Sequence, residues 1–78
     1  MRNELNEILS QVLRVASEMI EPDSSPDTIG SWDSLTHLEL VNALEQRYDL
    51  RFNMREIQSM DSPRKIEAIL EARNIPQT

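Results

Sequence analysis

Apolar residues recur at helical spacing from the start of the chain. Leu5, Ile8, Leu9, Val12, Leu13, Ala16, Met19 and Ile20 fall on one face, and Glu4, Glu7, Gln11, Arg14 and Glu18 fill the other. The pattern predicts an amphipathic first helix over about residues 3–19. It then breaks across residues 21–33, which hold two prolines, the only glycine and many turn formers. A loop this long in so short a chain points to function. Ile29 and Trp32 give it apolar surface to bury, so it is expected to be packed, with Trp32 pinning it to the core. Gly30 is expected to supply a backbone angle that other residues resist.

Helical spacing returns over residues 34–48, now with two apolar faces. Leu40, Val41, Leu44 and Tyr48 form the expected core stripe. Leu35, Leu38 and Asn42, flanked by Glu39 and Glu45, form a second stripe. Surplus apolar surface on a small domain suggests docking, although a helix apolar on both faces allows a core role as well. Asn53 followed by Glu56 has the form of a capping box and opens a short third helix over about residues 54–58. Ser62-Pro63 reads as a cap followed by proline at the first helical position. It starts a fourth helix over about residues 62–73 with Ile66, Ile69 and Leu70 as its core stripe, and Asn74-Ile75-Pro76 as its stop. Met54 and Met60 are expected to fill gaps in the core. The fold class is therefore all-α: a four-helix bundle with three long helices, one short helix and a long loop between the first and second. Residues 1–78 make a single domain.

Composition narrows what such a bundle can do. A chain of 78 residues buries a thin core and leaves no room for a deep, walled catalytic cleft. The net charge is −6, with one lysine (Lys65) and seven scattered arginines. Phosphate backbones need clustered cations, so nucleic acid is disfavoured, and anionic membrane surfaces with it. A partner with a basic docking patch is favoured. The absence of cysteine excludes a disulfide scaffold and a thiolate zinc site, and leaves the chain with no thiol of its own. No apolar run approaches a membrane span, and Met1 to Asn6 lack the apolar stretch of a signal peptide. A cytoplasmic monomer is expected.

The candidate chemistry lies in Gly30-Ser31-Trp32-Asp33-Ser34-Leu35-Thr36-His37-Leu38-Glu39-Leu40-Val41. It puts Ser34 at the head of a helix directly after the long loop. Helix N-termini present unpaired N–H groups and the positive end of the macrodipole, so a phosphate esterified there would be well accommodated. Local physics alone makes Ser34 or Asp33 a helix cap. His37 follows Ser34 by three residues on the same helix face. A Ser–His–Asp hydrolase would further need a strained nucleophile turn, an oxyanion hole and a pocket, none of which is visible. His37 is expected to be an exposed helix residue. Asp23 and Asp27 fall at positions 1 and 5 of a calcium loop, but Thr28 stands at position 6 and Ser34 at position 12, so that motif fails. No metal site and no catalytic set is expected.

The whole segment resembles the acyl carrier protein family. Asp33-Ser34-Leu35 matches the family's Asp-Ser-Leu motif, and Glu39-Leu40-Val41, Ala43-Leu44-Glu45 and Tyr48 stand in family-like places. The resemblance covers nearly the whole chain. It implies that a phosphopantetheinyl transferase moves 4′-phosphopantetheine from coenzyme A to the Ser34 hydroxyl. Asp33 matches the position that helps hold the transferase's magnesium ion. The arm's thiol would carry an acyl group as a thioester, so the protein would be a carrier without catalytic activity of its own. Leu35, Leu38, Glu39, Asn42 and Glu45 match the face through which family members dock onto acyl-loading and acyl-processing enzymes.

The sequence departs from the commonest family pattern in places. Gly30 sits one position further from the serine, and Trp32 precedes the aspartate. Trp-Asp-Ser-Leu resembles a subset of free-standing carriers used outside primary fatty-acid synthesis. Gln46 and Arg47 stand where the fatty-acid carriers are acidic, and Asn42 replaces a larger apolar residue. A peptidyl carrier's glycine pair is missing, which lowers the amino-acid-carrier alternative. The alternative from another class is an arm-free helical adaptor that binds a partner through the second helix.

Overall fold

The computed structural model describes residues 3–73, and within them every regular element is helical. The helices are α1 (Asn3–Leu13), α2 (Ser34–Tyr48), α3 (Met54–Ser59) and α4 (Pro63–Ala72), with a short 3-10 turn at Ser17–Met19 in the long loop. The expected stop at Asn74-Ile75-Pro76 lies outside the described residues.

The first helix is shorter than its periodicity predicts. It ends at Leu13 rather than near residue 19 because Arg14 takes a left-handed conformation, φ 59°. The Val15 N–H then reaches back to the Ser10 carbonyl at 3.2 Å, and the Ser10 hydroxyl donates to the Val15 carbonyl at 2.7 Å. This backward bond over five residues is a Schellman closure, normally built on glycine. The apolar period misled because Ile20 does return to the core, by way of the 3-10 turn rather than along a continuous helix. Ala16 and Met19, which the period placed inside, are exposed. An L residue in this conformation costs roughly 1–2 kcal/mol. Arg14→Gly is therefore expected to raise stability by roughly 1 kcal/mol in urea unfolding. An unchanged or lower midpoint would show that the arginine side chain makes up for its backbone.

Gly30 behaves in the opposite way to expectation. It has no positive φ, and a Cβ built on it would meet nothing within 4 Å. The special backbone angle falls on Arg14 and on Asp49, φ 53°, which closes α2 with the Leu50 N–H bonded to the Glu45 carbonyl at 3.1 Å. Asp tolerates this region better than most residues because its short side chain bonds locally.

The core is one continuous cluster. Leu5, Leu9 and Leu13 of α1 meet Leu40, Val41 and Leu44 of α2, with Ile66 and Leu70 of α4 closing the bundle. Ile20, Ile29 and Trp32 enter from the long loop, and Phe52 and Met60 from either side of α3. Outside the core, Arg47 pairs with Glu4, and the Tyr48 hydroxyl donates to Glu4 at 2.8 Å, so α2 is clasped to the start of α1. Those two bonds, Tyr48 first and Arg47 second, hold the Glu4 carboxyl below its usual range. Burial first, and then the bond to Glu4, pushes the Tyr48 phenol up to about 12.

Both sequence-level caps are present as expected. Asn53 and Glu56 form a reciprocal capping box at the head of α3, and the Ser62 hydroxyl accepts from the Lys65 N–H before Pro63. Arg73 then closes the far end. It pairs with Glu56, donates to the Arg51 carbonyl at 2.8 Å and lies 5.7 Å over the Phe52 ring. Met60 is buried as expected, but Met54 is 68% exposed, so only one of the two methionines fills the core.

Candidate functional site

The long loop delivers the chain to α2 through a series of fixed points. The Ser31 hydroxyl donates to the Leu13 carbonyl at the end of α1. The Arg64 N–H bonds the Pro22 carbonyl at 3.0 Å, and its guanidinium meets Asp23 at 3.1 Å. Trp32 is only 2% exposed, which fixes the last turn of the loop against the core. A large, nearly buried indole one residue before the cap holds the end of the loop beside the start of α2.

Asp33 caps that helix. Its backbone is extended, and its carboxylate accepts the Thr36 N–H at 2.9 Å. This bond, aided by the Thr36 hydroxyl, lowers the Asp33 carboxyl below its ordinary value. The cap role thus belongs to Asp33, and Ser34 occupies the first helical position with an exposed side chain. Beside it opens an apolar groove of about 510 Å³, whose walls include Trp32, Ser34, His37, Leu38, Ile57 and Asp61. An exposed hydroxyl at a helix N-terminus with open space next to it fits a long covalent phosphodiester arm.

His37 is not the exposed residue that its helical position suggested. It is half-buried, and both ring nitrogens are engaged. The Trp32 indole N–H donates to Nδ1 at 3.1 Å, and Nε2 lies 2.8 Å from the Ile57 carbonyl. Neither nitrogen is available to take a proton from Ser34, so the hydrolase alternative finds no base here.

The second stripe of α2 points outward. Leu35 is 69% exposed and Leu38 is 59% exposed. Glu39 and Asn42 are exposed with them. Glu45 differs. It is half-buried, and its carboxylate accepts the Phe52 N–H at 2.9 Å. Arg47 turns toward Glu4 on α1, and Gln46 toward Asn42 at 3.5 Å. Met54 at the head of α3 is the exposed apolar residue that sequence periodicity missed. Helical spacing gives no core stripe for so short a helix, so no signal separated an inward from an outward methionine there.

Residues 3–70 match the family described as the phosphopantetheine attachment site. A solution NMR structure of holo acyl carrier protein from Geobacter metallireducens superposes with a TM-score of 0.79 at 28% identity, covering 94% of this chain and 87% of that one. No curated protein sequence matches. The chain belongs to the phosphopantetheine attachment family and is a carrier of the acyl carrier protein type. Its cofactor is a covalently attached 4′-phosphopantetheine. Among the described residues, no helix is long and apolar enough to cross a membrane.

Proposed function

We propose that Ser34 is the attachment residue, and that the protein holds acyl intermediates as thioesters on an arm at the head of α2. The observation that carries this is the division of labour at that helix start: Asp33 caps, and Ser34 is left exposed beside an apolar groove. Asp33 also stands where the family motif supplies a contact to the transferase's magnesium ion. The Trp-Asp-Ser-Leu sequence favours a free-standing carrier in a specialised lipid, polyketide or related secondary pathway, and a monomeric, cytoplasmic protein is proposed with it. The test is intact mass after incubation with a broad-specificity phosphopantetheinyl transferase and coenzyme A. One phosphopantetheine should be gained, and with it a single titratable thiol, since the chain has no cysteine. A folded chain that gains nothing from an active transferase is an arm-free adaptor instead.

Acyl-loading and acyl-processing enzymes would meet the exposed stripe of Leu35, Leu38, Glu39 and Asn42. Met54 extends its apolar part. Charge reversal at Glu39 is expected to lower kcat/KM of a partner enzyme about tenfold, with circular dichroism unchanged, because exposed helix charges contribute little stability. Glu45→Lys should behave otherwise and loosen the turn before α3, because it removes the acceptor of the Phe52 N–H. Equal effects of the two reversals on folding would show that the Glu45 bond holds nothing.

A further inference from the structure

One imidazole joins three segments of this chain. From α2, His37 reaches the long loop through Trp32 and reaches α3 through the Ile57 carbonyl. The partners fix its protonation. An indole N–H can only donate, so Nδ1 must offer a lone pair, and a carbonyl can only accept, so Nε2 must carry the hydrogen. His37 is therefore the neutral Nε2–H tautomer. A proton added at Nδ1 would face the indole N–H, and the two donors would have no acceptor between them.

The element held by this bridge is short and has few other anchors. Helix α3 has six residues and buries none of them fully. It is anchored by Arg73 on Glu56, by the Ile57 side chain packed against the core and by Met60 buried just past its end. The bond from His37 meets its middle. The same side chains line the groove beside Ser34: Trp32, Ser34, His37 and Leu38 on one side, Ile57, Gln58 and Asp61 on the other. The groove's lining also includes two carboxylates, Asp33 and Asp61, and no basic residue.

We propose that His37 is a positioning residue: as the neutral tautomer it ties α3 and the loop to α2, and so fixes the width of the groove beside Ser34 and the placement of Met54 relative to Leu38. Its consequence for the carrier rests on Ser34 bearing the arm, but the bridge itself does not. The test uses the unloaded chain, so its outcome is independent of that assignment.

Amide hydrogen exchange of α3 is expected to speed up roughly five- to tenfold in His37→Ala, the factor that one part-buried hydrogen bond is worth, with α1 and α4 unchanged. Two near-isosteres separate the links. His37→Gln keeps a donor near the Ile57 carbonyl and should restore most of the protection of α3. His37→Asn keeps an acceptor for the indole but falls short of Ile57, and should not restore it. Trp32 is the only tryptophan, so its emission reports the other link. His37→Ala, which removes the acceptor of the indole N–H, should change that emission, and His37→Asn, which keeps an acceptor, should restore it. Protection of α3 that is equal in all four proteins would overturn the proposal. So would acceleration spread evenly over every helix, which would make His37 a mere filler, or a tryptophan emission that is the same in His37→Ala as in the wild type.

Discussion

Ser34→Ala is expected to abolish loading of the phosphopantetheine arm while leaving the bundle as stable as before. Both halves of that outcome follow from the helix start. The hydroxyl is the nucleophile that the transferase needs, and alanine offers none. The cap bond is made by Asp33 to the Thr36 N–H, so removing the serine oxygen removes no stabilising contact. Serine at the first helical position is exposed, and exposed substitutions away from such features shift stability by about 0.5 kcal/mol or less. Intact mass should show no gain, thiol titration should read zero, and the thermal melt should overlay that of the wild type. A loaded Ser34→Ala protein would move the attachment point to another hydroxyl. An unfolded one would mean that Ser34, not Asp33, holds the helix start.

Trp32→Ala is expected to have the largest effect on stability. The indole is almost fully buried and is the main apolar anchor of the loop's last turn. Truncating a buried aromatic to alanine costs roughly 3–5 kcal/mol. A chain of 78 residues is expected to hold only roughly 4–12 kcal/mol in total. The melting temperature should therefore fall by at least roughly 12 °C. Trp32→Phe refills most of the space but cannot donate to His37 Nδ1, and should fall by less. Thermal melts followed by circular dichroism would measure both. A Trp32→Ala melt close to the wild type would show that the loop is held by its hydrogen bonds to Leu13 and Arg64 rather than by the indole.

Much of this was legible in the chain before any coordinates, because the signals were local. Asn53 with Glu56 and Ser62 with Pro63 specify helix starts by bonds within three residues, and α2 spans Ser34–Tyr48 as its period predicts. The exposed stripe was visible too, although only packing could decide that Leu40 and Leu44 face inward while Leu35 and Leu38 do not. What escaped was set by backbone conformation or by distant partners. The end of α1 lies at an arginine in a glycine-like conformation, and nothing in the apolar period announces it. His37 looked exposed because its acceptor, the Ile57 carbonyl, lies twenty residues away and belongs to a backbone rather than a side chain. The structural bond of Glu45 escaped as well, since the Phe52 N–H that it accepts leaves no mark in sequence.

The commitment of Glu45 to that amide bears on how partners would find this carrier. Of the two carboxylates that flank the stripe, it leaves Glu39 as the exposed one, beside Leu35, Leu38 and Met54. Long-range attraction to a basic patch accelerates encounter and fades with ionic strength, whereas apolar contact acts after encounter and slows departure. A chain of net charge −6 would gather such a partner at a rate that salt lowers, while the apolar part of the face would tell one enzyme from another by how long each stays bound.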